Sequence, residues 1–148
     1  MKIGIACDHR AYDTKEELKK ELSNYEIIDY GTNSSESVDY PHYALTLATS
    51  VKNKEVDLGI VLCGSGIGVS IACNKVKGIR CAKIDSINEA KSAKEHNDAN
   101  ILAFGANSHT SDEIINMINT FINSTFNLDP KYKIRIEQVE KYEETNEY

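Results

Sequence analysis

Val56-Asp57-Leu58-Gly59-Ile60-Val61-Leu62-Cys63-Gly64-Ser65-Gly66-Ile67-Gly68-Val69-Ser70 is the stretch on which the reading of the chain turns. Leu58 to Leu62 is an unbroken apolar run, the pattern of a strand buried on both faces of a parallel sheet. The run ends in a thiol, three alternating glycines follow, and Val69 to Val76 can continue as a helix. A strand that feeds a glycine loop and then a helix N-terminus aims several backbone N–H groups at one point. Such a point suits an anion, either a phosphate or an oxyanion formed during reaction. Cys63 stands at its lip.

Working outward, the same alternation of strand and helix extends in both directions. Lys2 to Ala6 reads as a first strand, leading into Cys7-Asp8-His9-Arg10. Thr14 with Glu17 has the spacing of a capping box, opening a helix whose buried stripe is Leu18 and Leu22. Glu26 to Asp29 is a second strand, and Pro41 starts a helix carrying Ala44, Leu47, Ala48 and Val51 at helical spacing. Beyond the glycine loop, Ile79 to Ile84 and Asn100 to Gly105 are strands four and five. Ser86 with Glu89 and Thr110 with Glu113 open the helices after them, the second with a wide face of Ile114, Ile115, Ile118, Phe121 and Ile122. Pro130 separates a last segment, 131–148, whose Ile134, Val139 and Tyr142 can support a helix. The expected fold is a single-domain, Rossmann-like α/β sandwich of three layers: a five-stranded parallel sheet between helices, with a C-terminal helical extension.

Composition narrows the function classes. A chain of 148 residues, 41% hydrophobic and 27% charged, fits one globular domain spanning 1–148. A net charge of −6 argues against general nucleic-acid binding, which needs a basic footprint. No apolar run approaches the ~18–20 residues that span a membrane, and no signal-peptide pattern opens the chain, so the expected compartment is the cytoplasm. Cys7, Cys63, Cys73 and Cys81 lack CxxC spacing, which argues against a zinc site, and disulfides do not suit a reducing compartment. From Glu137 onward five Glu and one Lys make a local net of −4, the composition of a solvated or partner-facing tail.

In parallel sheets of this kind ligands bind beyond the C-terminal strand ends, where strand order reverses. Asp8, His9 and Arg10 follow strand one, Cys63 to Gly68 follow strand three, Asp85 follows strand four, and Ala106-Asn107 follow strand five. His96-Asn97-Asp98 precedes strand five and therefore falls at the opposite end, out of reach unless a long helix end or a second subunit intervenes. The glycine loop is not a P-loop, because no Gly-Lys-Ser/Thr closes it, and its GxGxG spacing after the third strand is not a clean dinucleotide fingerprint, although Asp85 stands at a plausible distance for a ribose contact. A plain structural turn stays open on the motif alone. A buried strand-end thiol is the bland reading of Cys63, but the helix N-terminus beside it favours a reactive one.

Several long motifs in the right order raise this above a single loop. Cys7-Asp8-His9, Asp39-Tyr40-Pro41-His42-Tyr43-Ala44, Cys63-Gly64-Ser65-Gly66-Ile67-Gly68, Ile71-Ala72-Cys73-Asn74-Lys75, Gly78-Ile79-Arg80 and the run from Glu95 to Gly105 together cover nearly the whole chain. In these the chain resembles the ribose-5-phosphate isomerase B family of sugar-phosphate isomerases. The resemblance implies a cofactor-free and metal-free interconversion of ribose 5-phosphate and ribulose 5-phosphate through an enediolate. Cys63 would be the base that moves the proton between C1 and C2, with Ser65 near the reacting end. Gly64, Gly66, Ile67 and Gly68 would offer N–H groups to the enediolate oxygen. His96 would open the furanose ring, Asp8 and Asn97 would hold sugar hydroxyls, and Tyr43 would line the ring pocket. His9, Lys131 and Arg135 would hold the phosphate.

The resemblance also implies a homodimer with active sites at the subunit interface, tetramers remaining open, and 130–148 contacting the partner. Such a dimer would bring His96 to the other residues. Two positions depart from the family. Lys131 stands where Arg is common, and Asn107 stands where some members carry a further phosphate-binding Arg, with Lys133 or Arg10 as candidates to compensate. The pattern leaves open a six-carbon sugar phosphate as substrate and, from another class, a non-catalytic sugar-phosphate or nucleotide-binding module.

Overall fold

The computed structural model describes residues 1–148. Strand β1 (Lys2–Cys7) leads into a 3-10 turn, His9–Ala11, and helix α1 (Tyr12–Glu21). Strand β2 (Glu26–Asp29) and helix α2 (Tyr40–Lys52) follow, then β3 (Leu58–Cys63) and α3 (Ile67–Cys73). The second half runs β4 (Cys81–Lys83), α4 (Ile87–Glu95), β5 (Ile101–Gly105), α5 (Ser111–Asn123) and α6 (Pro130–Thr145). All neighbouring strands pair in parallel, in the order β2-β1-β3-β5-β4. From β1 the chain first adds β2 on one side and then crosses to add β3 on the other. The order reverses there, between β1 and β3.

Side-chain alternation along the strands builds the three layers. Ile3, Ile5 and Cys7, Leu58, Ile60 and Leu62, and Leu102 and Phe104 point to one face, where Leu18 of α1, Ala90 of α4 and Ile114 and Ile118 of α5 cover them. Ala6, Val61, Cys63, Ile101 and Ala103 point to the other face, against Ala44, Leu47 and Ala48 of α2 and Val69 and Cys73 of α3. Every residue of β3 is buried, as its unbroken apolar run requires. The same period of two puts the Cys63 side chain on the α3 face.

Local expectations differ from the structure in three places. Thr14 does not cap α1. Asp8 accepts the Arg10 N–H at 3.0 Å, so the chain turns six residues earlier and α1 begins at Tyr12, with Thr14 inside it. Helix α3 stops at Cys73 instead of running on to Val76. There the Asn74 amide donates to the Cys81 carbonyl (2.9 Å) and accepts its N–H (2.8 Å), drawing the chain toward β4. Strand β4 holds three residues and not six, since the Arg80 N–H goes to the Asn100 side chain and the Ile79 N–H to the Val76 carbonyl.

One charged cluster sits within the apolar frame. Lys15 is fully buried, and its ammonium lies 2.5 Å from Asp29 Oδ2, which also accepts from Lys19 at 2.7 Å. Asp29 Oδ1 accepts the Gly31 N–H at 2.9 Å, so the carboxylate ties α1 to the end of β2. Burial pushes the Asp29 carboxyl up, but Lys15, Lys19 and the Gly31 N–H outweigh it and hold it below the usual carboxylate range. A carboxyl lowered on folding adds stability above its unfolded value and loses it as pH falls through the folded one. Asp29→Asn removes the nearer of the two carboxylates beside the buried Lys15 ammonium, leaving Glu16 at 3.6 Å, and should cost about 3 kcal/mol in urea denaturation at neutral pH. The deficit should narrow as the pH drops below about 4. A variant as stable as the parent at pH 7 would remove this pair from the folding energetics.

Candidate functional site

The reversal between β1 and β3 opens a cleft of about 270 Å³. Asp8 reaches it from the end of β1, Cys63 from the end of β3, and Gly64, Ser65 and Gly68 from the loop and first turn of α3. Tyr40, at the start of α2, and Asn107, after β5, close its sides, and Arg10 overhangs it.

The loop is shaped around the sulfur. The Gly66 N–H donates to Cys63 Sγ at 3.1 Å, and the Ser65 hydroxyl lies 4.0 Å from the same atom. An N–H aimed at sulfur is a contact that an anionic acceptor makes more strongly than a neutral one. Ser65 Oγ also accepts the Ile67 N–H at 3.1 Å. Two of the loop N–H groups are therefore engaged inside the loop, whereas those of Ser65 and Gly68 carry no hydrogen bond within the chain. Unpaired donors at the first turn of a helix are available to a bound oxyanion.

Two glycines make this geometry possible. Gly66 has φ +76°, and a Cβ there would meet Phe104 C at 2.8 Å and Gly105 N at 3.0 Å. Across the gap, a Cβ at Gly105 would meet Ser65 O at 2.7 Å. Backbone packs on backbone here, leaving no side-chain rotamer to absorb an added methyl.

The residues expected to act together fall into two groups. Asp8 is buried beside Cys63, and His9 follows it, with Nδ1 accepting the Val38 N–H at 3.1 Å. That bond leaves Nε2 as the nitrogen open to a ligand. Tyr43 packs edge-on against His42 and over Gly31, whereas Tyr40 lies over Gly68. The second group lies at the opposite ends of the strands. His96 ends α4 and stacks on Tyr132 of α6, ring centroids 4.6 Å apart and planes 4° from parallel. Lys131 Nζ and Arg135 Cζ lie 5.0 and 6.0 Å from the same Tyr132 ring, and Asn97 and Arg135 line one cavity under α6. Cys63 pairs with Gly105 at one end of β5 and Gly59 with Ile101 at the other, so the two groups stand roughly 13 Å or more apart along the strand.

Sequence reasoning did not single out Tyr40 as a wall of the cleft. Its place next to Pro41 at a helix start was legible, but which tyrosine faces Gly68 depends on how α2 docks. Asp85 is committed within the chain, to Lys83 and to His109 Nε2 at 3.0 Å. The Asp85 hydrogen bond raises the His109 imidazole above its ordinary range, against burial and with help from Glu113. Asp85 is thus part of a local ion cluster. No group of three or more His, Cys, Asp or Glu side chains is arranged to hold a metal ion.

Comparison with known proteins gives a consistent result. A family model described as Ribose/Galactose Isomerase matches residues 3–139. The chain is 47% identical over 107 residues to ribose-5-phosphate isomerase B of Escherichia coli, covering 71% of this chain and 72% of that one. Its fold superposes on ribose-5-phosphate isomerase B of Clostridium thermocellum with a TM-score of 0.96, at 42% identity, covering 99% of this chain and 100% of the other. Ribose-5-phosphate isomerase B of Mycoplasma genitalium, solved with bound ribulose 5-phosphate, aligns with a TM-score of 0.91 at 34% identity over 97% of each chain.

Because Gly66 combines a left-handed backbone with a contact to the Phe104–Gly105 peptide, Gly66→Ala should lower stability by about 1–3 kcal/mol. Gly64→Ala, which meets only the Asn107 amide and the Arg10 stem, should be milder. Thermal unfolding of both variants checks the order, and equal losses would remove the backbone contact as its cause.

Proposed function

The chain belongs to the ribose/galactose isomerase family, and on that premise we propose that it interconverts ribose 5-phosphate and ribulose 5-phosphate, with Cys63 as the base. One observation carries the assignment of the base: Cys63 ends a central strand at the reversal of strand order, with a backbone N–H on its sulfur and unpaired N–H groups beside it. Aldose–ketose isomerisation asks for a base within reach of the C2 proton and donors for the oxyanion that develops at O1. The Cys63 thiolate takes the C2 proton, and the C2–H electron pair becomes the C1=C2 bond of an enediolate. The Ser65 and Gly68 N–H groups hold the negative oxygen. Ser65, 4.0 Å from the sulfur, is placed to pass a proton between O2 and O1. The thiol then returns its proton to C1, giving the ketose and regenerating the thiolate. One oxyanion donor supplies ~2.7–4 kcal/mol of such stabilisation.

His96, Asn97, Lys131 and Arg135 enter through a second copy of the chain. Within one chain they lie at the strand ends opposite Cys63. Helix α6 buries none of its residues in its own chain, while Ile134, Val139 and Tyr142 are about half exposed or more along it. A homodimer that covers this helix and sets His96 of one chain beside Cys63 of the other completes the site. His96 then opens the furanose ring, Asp8, Asn97 and Tyr43 hold the sugar, and His9, Lys131 and Arg135 grip the phosphate. No helix is long and apolar enough to cross a membrane, and a phosphorylated sugar as substrate fits a cytoplasmic enzyme.

Cys63→Ala should lower kcat for ribose 5-phosphate by roughly 10²–10⁴-fold with the fold intact by circular dichroism. Undiminished turnover would remove the thiol from the chemistry, and faster turnover of allose 6-phosphate by the parent would reassign the substrate. Mixing Cys63→Ala with His96→Ala chains tests the shared site. Each mixed dimer holds one site with both native residues, so random exchange should restore about a quarter of parental activity. If the site lay within one chain, mixing would restore nothing.

A further inference from the structure

We propose that Arg10 is a phosphate-binding and specificity-determining residue of the Cys63 cleft. This rests on the reading that the substrate is a sugar phosphate. Arg10 is the only cationic side chain lining the cleft. The lining carboxylate, Asp8, is an acid, so within one chain Arg10 alone offers a phosphate dianion a counter-charge from the cleft wall. The guanidinium is uncommitted. Arg80, by contrast, bonds to the carbonyls of Asn97 and Asp98 and to Glu140, whereas no carboxylate or carbonyl engages the Arg10 side chain.

Its position is built by the loops beneath it. Asp8 Oδ1 accepts the Arg10 N–H and fixes the 3-10 turn, while the residue as a whole stays exposed. The stem lies across Gly64, where an added Cβ would meet Arg10 Cδ at 3.0 Å and Asn107 Nδ2 at 2.8 Å. The absence of a side chain at Gly64 thus makes room for the Arg10 stem and the Asn107 amide to share the cleft rim. A guanidinium fork beside an amide is suited to a phosphate, since the fork binds two oxygens at once, which the ammoniums of Lys131 and Lys133 do not. Lys133 in any case pairs with Glu137 at 3.6 Å. Arg10 could instead act on the Cys63 thiolate, and the two roles separate experimentally.

Arg10→Met keeps most of the stem and removes the charge, and Arg10→Lys keeps the charge without the fork. Calorimetric titration with inorganic phosphate should show affinity about tenfold weaker in Arg10→Met, a loss of the size that one charged hydrogen-bonded contact carries. KM for ribose 5-phosphate should rise by a similar factor and kcat fall less, with Arg10→Lys intermediate. The pH profile of iodoacetamide alkylation at Cys63 should match the parent, and thermal unfolding should confirm the fold. Phosphate affinity and KM both within about twofold of the parent would overturn the proposal. So would a shifted alkylation profile with unchanged phosphate affinity, which would assign Arg10 to the thiolate. A parent that binds phosphate through Arg10 but isomerises neither pentose nor hexose phosphate would sink the proposed reaction and leave this residue's role standing. A parent that turns over ribose 5-phosphate with the same KM in Arg10→Met would overturn this residue's role and leave the reaction standing.

Discussion

The loop after β3 can hold its shape only because two backbones touch where side chains would normally intervene. Gly66 sits against the Phe104–Gly105 peptide and Gly105 against the Ser65 carbonyl, each too close for a Cβ. This contact joins the ends of the two central strands, and further bonds extend it, from the Ala106 N–H to Cys63 O and from the Asn107 N–H to Gly64 O, both at 2.9 Å. With the loop seated in this way, the Gly66 N–H faces the Cys63 sulfur and the first turn of α3 faces the cleft. A looser loop would have the same residues but no fixed donor on the thiol. Preorganised donors act on a developing charge without having to move, so the glycines matter to chemistry as well as to packing.

Sheet topology sets where that loop can be useful. Order reverses between β1 and β3, so the Asp8 turn and the Cys63 loop leave the sheet side by side and no crossover helix fills the space between them. The two sheet faces are covered by different helices, and strand alternation sends Cys63 to the α2–α3 side, away from the larger α1–α4–α5 cluster. Lys15 and Asp29 hold α1 to the edge of the sheet beside this opening. An ion pair at that position makes the approach of α1 specific, because a shifted helix would take a buried ammonium away from Asp29, its 2.5 Å partner on the sheet.

The far edge of the sheet is organised by α6. Tyr132 stacks on His96, Arg80 bonds Glu140, and the Gly78 N–H donates to Glu143, so the helix is anchored by polar and aromatic contacts and not by burial. An element of 16 residues with no buried side chain gains little from its own chain. Ile134 and Val139 stay exposed along it, an apolar stripe that the proposed homodimer would cover. In that dimer the helix would carry Lys131 and Arg135 of one chain toward the cleft of another.

Much of this molecule was legible in its residues. The apolar run of β3, the helical spacing of Ala44, Leu47, Ala48 and Val51, and the caps at Ser86 and Thr110 are local patterns, and the structure holds them where the spacing put them. The family motifs are contiguous, so they too could be read along the chain. The start of α1 could not, since Asp8 and Thr14 are both good caps and only the bend at the end of β1 selects Asp8. The length of β4 likewise depends on Asn74 and Asn100, which capture backbone groups that a strand would otherwise use. Sequence by itself therefore determined the alternating α/β plan, the glycine loop and the thiol, because each is a short-range pattern of residue types. Tertiary structure alone decided that the Tyr40 ring joins the Arg10 stem and the Asn107 amide on the rim of the Cys63 cleft, and that Lys131 and Arg135 gather with His96 about the Tyr132 ring at the opposite strand ends. Those neighbours come from different elements, and parallel strand order, which no local pattern encodes, is what brings them together or keeps them apart.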